Sequence, residues 1–250
     1  MTRKPVFAAN WKMHHGPQET RAFLRTFLDA FPPAHDRTVI VFPPAVSLAV
    51  AGFTLRDRPE ILVGVQNVHW EPKGAFTGET SAGMARDAGA RVALVGHSER
   101  RHVFGETDEM TARKCEAVVA AGLVPLLCVG ERLEERERGA TLAVVLGQLD
   151  AAISRLEPSR VGEMLIAYEP VWAIGTGITA RPEDATEVHE AIRQRLREVI
   201  GDTAADVPVL YGGSVSESNA ADLLAAREVD GVLVGGASLD PERWARIART

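Results

Sequence analysis

Eight short apolar runs rich in β-branched residues recur along this chain, at positions 6–9, 38–42, 61–65, 92–95, 124–129, 164–168, 207–211 and 231–234. They are near-continuously apolar rather than alternating, as strands are when both faces are buried. Amphipathic helical stretches lie between them. From Pro182 to Ile200, the residues Val188, Ile192, Leu196 and Val199 step by three and four. Pro182 suits the first turn, Glu183 and Asp184 favour the N-terminal end of the helix dipole, and Gly201 suits the stop. Leu142, Val145, Leu146, Leu149 and Ile153 form a second stripe, and a third helix is expected over 111–121, ended by Gly122.

Alternating strands and helices imply parallel pairing through right-handed crossovers. Eight such units in 250 residues predict an α/β fold, a closed (β/α)8 barrel forming a single domain over 1–250. A doubly wound open sheet is the alternative. It would normally carry a Gly-rich dinucleotide fingerprint after the first strand, and none is present.

The 46% hydrophobic and 25% charged composition is that of a globular protein. With a net charge of −6, the arginine-containing stretches, such as Glu131 to Arg138, mix both signs. That run reads as a solvated helix face, and nucleic acid is not an expected partner. Cys115 and Cys128 are too few for a disulfide framework, and Cys128, ending an apolar run, reads as a reduced buried thiol. No stretch approaches the roughly 18 apolar residues of a membrane span, and the N-terminus has no apolar leader. A cytoplasmic protein with no membrane partner is expected.

In a barrel of this kind, chemistry collects where strands end. The first strand ends in Asn10-Trp11-Lys12-Met13, the fourth in Gly96-His97-Ser98-Glu99-Arg100-Arg101 and the sixth in Tyr168-Glu169. The seventh ends in Tyr211-Gly212-Gly213-Ser214-Val215 and the eighth in Val234-Gly235-Gly236-Ala237-Ser238. Without a Cβ, backbone N–H groups can approach a ligand closely, and both glycine pairs open onto helix starts that favour an anion. Gly213, Ser214, Gly235 and Gly236 are therefore candidates for a phosphate cradle. A tight turn needing positive φ is the plainer reading of each pair. Lys12 suits a point charge for a phosphate or an oxyanion, or a Schiff base, or an ordinary surface lysine. His97 precedes a helix start, whose dipole disfavours imidazolium, so a neutral ring is expected. It is either a hydrogen-bond donor to a carbonyl or a histidine satisfied by backbone. The histidines His14, His15, His35, His69, His102 and His189 show no metal-ligand spacing, and no metal is expected. His189, beside the apolar stripe of its helix, reads as solvated.

Glu169 resists a structural explanation. Pro170 follows it rather than a helix, and Gly175 and Gly177 then permit a hinged loop. A carboxylate beneath a water-excluding segment suits removal of a proton α to a carbonyl.

These residues resemble one family over essentially the whole chain, the triosephosphate isomerases. The resemblance rests on Asn10-Trp11-Lys12-Met13, Gln66-Asn67, Gly74-Ala75-Phe76-Thr77-Gly78-Glu79 and the Gly96 to Arg101 run. It extends to Cys128-Val129-Gly130-Glu131, the run from Tyr168 to Gly177, Tyr211 to Val215, and Gly235 to Ser238. It implies the TIM barrel fold and cofactor-free, reversible isomerisation of dihydroxyacetone phosphate and D-glyceraldehyde 3-phosphate in glycolysis and gluconeogenesis. Glu169 is then the base and His97 the neutral electrophile; the family is itself a standing example of that neutral-ring logic. Lys12 and Asn10 are the oxyanion and substrate contacts, and Glu99 is a partner of Lys12. Gly175, Ser214, Gly235 and Gly236 are the phosphate grip, and residues 171–180 are a mobile loop, for which the family is again a familiar case. Thr77 lies in the family's dimer loop, which implies a homodimer. Two departures stand out: Ile178-Thr179-Ala180 occupies a place that often reads Lys-Thr-Ala, and His14 stands where many members have Asn.

Overall fold

The computed structural model describes residues 4–174 and 181–250. Eight strands close into one barrel in chain order: β1 Val6–Asn10, β2 Thr38–Phe42, β3 Ile61–Val65, β4 Val92–Val95, β5 Val124–Val129, β6 Leu165–Tyr168, β7 Val209–Tyr211 and β8 Gly231–Val234. Neighbouring strands are parallel, and β1 seals the ring against β8 with Val6 opposite Gly231. The apolar runs therefore mark the strands as expected. Two begin late, β6 at Leu165 and β7 at Val209. Pro208, just before β7, has no N–H to give to a ladder, although its carbonyl accepts from Ile166 N–H at 3.0 Å.

Side-chain alternation divides the apolar residues into two cores. Val6, Ala8, Ile40, Phe42, Val92, Leu94, Leu126, Cys128, Leu165, Ala167, Leu210 and Leu233 pack together in one cluster inside the barrel. Phe7, Ala9, Val39, Val41, Ile166 and Tyr168 belong to the larger cluster that meets the helices. Full burial of such a side chain stabilises by roughly 1.5–3 kcal/mol, so both layers weigh heavily in the fold. Residue 10 continues the inward register of Val6 and Ala8, which carries Asn10 to the barrel mouth.

The helix Pro182–Ile200 matches its expected bounds, with Pro182 in its first turn and Gly201 at φ 62° beyond its end. Its first turn is closed by the Asp184 carboxylate accepting Arg181 N–H at 3.0 Å. The expected third helix spans Asp108–Ala120, beginning earlier because the Thr107 hydroxyl caps Met110 N–H at 3.2 Å. Cys128 is buried and unpaired, as read.

Two polar expectations need correction. His189 is fully buried rather than solvated. Its Nδ1 lies 2.9 Å from the Glu228 carbonyl, its ring packs edge-on against Tyr168, and burial lowers its pKa to about 4. Glu131 is also fully buried, although the helix that follows, Leu133–Glu137, is solvated as expected. Glu131 accepts from the Tyr168 hydroxyl at 3.1 Å and the Trp172 indole at 2.9 Å. In both cases the residue faces Tyr168, the last residue of β6.

Candidate active site

The C-terminal tips of five strands surround a cavity of about 260 Å³, which Asn10, Lys12, His97, Glu169, Gly235 and Gly236 help to line. Ser214 lines it too, with Gly212, Gly213 and Val215 from the same turn. Gly175 lies outside the described residues, as does the 175–180 part of the expected loop. Thr77 is exposed on a separate loop.

Lys12 has a positive φ of 51°, which costs a residue with a Cβ on the order of 1–3 kcal/mol. Its surroundings hold it there. Lys12 N–H donates to Asn10 Oδ1 at 3.0 Å, and Gln66 Nε2 donates to the Lys12 carbonyl at 2.8 Å. The strained turn projects Nζ to the cavity, where it meets Glu99 Oε1 at 2.6 Å.

His97 caps the short helix Ser98–His102, with Nδ1 accepting Glu99 N–H at 3.2 Å. The ring proton therefore resides on Nε2, which faces Glu169 Oε1 at 3.0 Å. Burial disfavours the charged ring, yet the adjacent carboxylate prevails and raises the His97 pKa above its ordinary value. The Nδ1 contact opposes that pull, because a second proton there would break the cap. The neutral Nε2–H ring is the form this geometry accommodates.

Glu169 is buried, and burial alone would raise its pKa. His97, the Ser98 N–H at 2.8 Å and the Lys12 charge outweigh burial and hold the carboxyl below the usual carboxylate range. Its backbone is gripped as closely. A Cβ on Gly130 would fall 1.8 Å from the Glu169 carbonyl oxygen, and one on Gly212 would fall 2.9 Å from its Cγ. Gln148, from the helix Thr141–Ile153, binds both sides of Gly130, its Oε1 accepting the N–H at 2.8 Å and its Nε2 donating to the carbonyl at 3.2 Å. Sequence reasoning missed Gln148, and the available signal was the glycine at the tip of β5, next to the strand that carries Glu169.

Ser238 N–H bonds to the Gly235 carbonyl at 2.8 Å and Leu239 N–H to the Gly236 carbonyl at 3.2 Å, forming the 3₁₀ turn Gly236–Ser238. The first N–H groups of such a turn have no partner within it. Ser214 and Gly236 are exposed and Gly235 half-exposed. The resulting site pairs a buried carboxylate and a ring donor with an ammonium group, next to turns open to an anion.

The triosephosphate isomerase family model matches residues 5–250. The chain belongs to the triosephosphate isomerase family. It is 48% identical over 246 residues to triosephosphate isomerase of Solibacter usitatus, covering 98% of each chain. It is 45% identical over 242 residues to that of Aquifex aeolicus, covering 97% of each. A crystal structure of triosephosphate isomerase from Bartonella henselae superposes with a TM-score of 0.88 at 37% identity, covering 98% of this chain and 97% of that one.

Proposed function

We propose that this single-domain barrel interconverts dihydroxyacetone phosphate and D-glyceraldehyde 3-phosphate through an enediolate, with the roles assigned as follows. Glu169 removes the proton from the carbon beside the carbonyl and returns it to the adjacent carbon, while the hydroxyl proton passes to the former carbonyl oxygen. Proton number is conserved, and no external redox partner is needed. The negative charge that develops on oxygen is met by the His97 Nε2–H and by Lys12 Nζ. Asn10 fixes the Lys12 turn and reaches the same oxygen region. Ser214, Gly235 and Gly236, with Gly175, hold the phosphate, whose binding energy positions the reacting carbons.

The observation that carries this reading is the 3.0 Å contact between His97 Nε2 and Glu169 Oε1 at the mouth of the cavity. It sets a proton acceptor and an oxyanion donor side by side, where one small substrate can touch both. To reach a substrate carbon, Glu169 must exchange the Ser98 N–H and the His97 ring for substrate. The upward pull on the His97 proton then ends, which leaves a neutral donor. Lys12 is ion-paired to Glu99, which suits a fixed charge and not the neutral amine that a Schiff base needs.

The same reading makes the protein a homodimer. Met13 and Phe76 are 93% and 42% exposed, and Phe76 adjoins Thr77 in the loop the family uses for dimer contact. Among the described residues, no helix is long and apolar enough to cross a membrane, which accords with a cytoplasmic glycolytic role. A coupled isomerase assay on Glu169→Gln, with the fold verified by circular dichroism, tests the assignment. Loss of the base should lower kcat by about 10²–10⁴-fold, whereas turnover within about tenfold of the parent would remove Glu169 from the mechanism.

A further inference from the structure

The peptide that carries His97 is held on both sides by buried charge. Gly96 sits at φ 70°, where a Cβ would meet the Cys128 carbonyl oxygen at 3.1 Å and Thr111 at 3.2 Å. Its N–H donates to Glu106 Oε1 at 3.1 Å. Its carbonyl accepts from Arg101 Nε at 2.8 Å. Neither partner is free to drift. Glu106 Oε2 takes Lys114 Nζ at 2.5 Å and Arg100 Nε at 3.1 Å, and Lys114 Nζ also donates to Asn67 Oδ1 at 2.7 Å. Arg101 is tied to Asp108 at 2.6 Å. The Glu106 and Lys114 side chains are 1% and 3% exposed.

Burying an ion pair costs desolvation that its Coulomb attraction rarely exceeds, so packing alone does not account for a carboxylate here. What the carboxylate does locally is fix the direction of one N–H, a single residue before the ring whose Nε2 must meet a developing oxyanion. A shift of about 1 Å in such a group can cost on the order of 100-fold in rate. We propose that Glu106 is a positioning residue for the isomerisation, acting through Gly96 to hold His97. This rests on the roles proposed above for His97 and Glu169. Glu106 lies away from the glycine turns that hold phosphate, so its loss should act on kcat and leave KM in place.

Two double variants separate the hydrogen bond from the charge. Glu106→Gln with Lys114→Met removes the ion pair but keeps an amide oxygen for Gly96 N–H. Glu106→Leu with Lys114→Met removes both. Exchange of a buried pair for apolar groups is often neutral in stability, so both should fold. The glutamine variant should keep kcat within about threefold of the parent, and the leucine variant, read per folded molecule, should lose at least about tenfold at unchanged KM. Equal kcat in the two, or a KM change as large as the kcat change, overturns the proposal. If the leucine variant does not fold, the carbonyl side takes its place. Arg101→Leu with Asp108→Asn frees the Gly96 carbonyl and should lower kcat by a similar factor at unchanged KM; unchanged kcat overturns the proposal. The parent distinguishes the two levels of failure. A parent without isomerase turnover defeats the proposed reaction, whereas an active parent with indifferent variants defeats only the role of Glu106.

Discussion

The two sides of the cavity are built on opposite plans. On the proposed reacting side, Glu169 and His97 are buried, and their neighbouring glycines are clamped by Gln148 and Arg101 from helices and by Glu106 from the loop before Asp108–Ala120. On the gripping side, Ser214 and Gly236 are exposed, and the Gly236 position has open space where a Cβ would go. The difference follows from what each side must do. A base and an oxyanion donor gain from being fixed before the substrate arrives, because reorganisation during reaction raises the barrier. An anion grip gains from N–H groups that have no other partner. The proposed reacting side should therefore tolerate almost no change in shape, whereas the Gly236 turn of the gripping side should tolerate a methyl group; Gly213, where a Cβ would fall 2.1 Å from the Tyr211 hydroxyl, should not.

Gly130→Ala is the harshest test of that contrast. Its Cβ would overlap the Glu169 carbonyl oxygen at 1.8 Å; that oxygen is backbone and the Cβ position is fixed by the residue 130 backbone, so the chain at the tip of β6 must move. We expect kcat per folded molecule to fall by about 100-fold or more. Overpacking should also lower stability by about 1–3 kcal/mol, read from the urea midpoint. A variant that retains a tenth of the parent kcat would show that the reacting side is not rigid.

How far this contrast could be read from sequence depends on burial. Strands buried on both faces produce continuous apolar runs, so their order and closure were legible, and the strand ends then located Lys12, His97, Glu169 and the glycine turns. The supports were not legible. Gln148 lies 18 residues from the glycine it clamps and Glu106 lies 10 from Gly96, and each looks like an ordinary polar helix or loop residue. His189 and Glu131 were misread for the same reason. Helical periodicity and charge runs describe which face meets solvent on average, whereas both residues turn inward to Tyr168, His189 next to buried Val188 and Glu131 next to buried Gly130. Only the closing of the barrel brings them under the strand that delivers Glu169.

A support buried in this way should make the reacting side sensitive to acid. The His189 pKa is lowered to about 4 by burial, against 6.5 in the unfolded chain. Between those values the unfolded state binds the extra proton. Stability contributed by the neutral ring is therefore complete above pH 6.5 and is lost as pH falls to about 4. At about 1.4 kcal/mol per pH unit, the parent should lose about 2 kcal/mol from this residue between pH 7 and pH 5. Denaturant midpoints of the parent and His189→Gln at the two pH values measure it. The variant should show a pH dependence smaller by about that amount, and identical dependence would detach His189 from the support of β6.

The smallest effect is expected on the gripping side, and it sharpens the contrast most. A Cβ on Gly235 would come within 3.3 Å of Lys12 Cε, the outer part of a flexible chain that can give way, whereas one on Gly236 would meet nothing within 4 Å. Gly236→Ala should therefore leave kcat unchanged. Its methyl group narrows the approach of an anion to the turn, and losing part of one hydrogen bond, about 1 kcal/mol, would raise KM by roughly fivefold. The inhibition constant for inorganic phosphate should rise in the same proportion, since the effect lies in binding and not in the reacting carbons. Gly235→Ala should add a modest fall in kcat through Lys12. If Gly236→Ala instead lowered kcat as much as Gly130→Ala, the gripping side would also be fixed in advance, and the division between a rigid reacting side and an open anion side would fail.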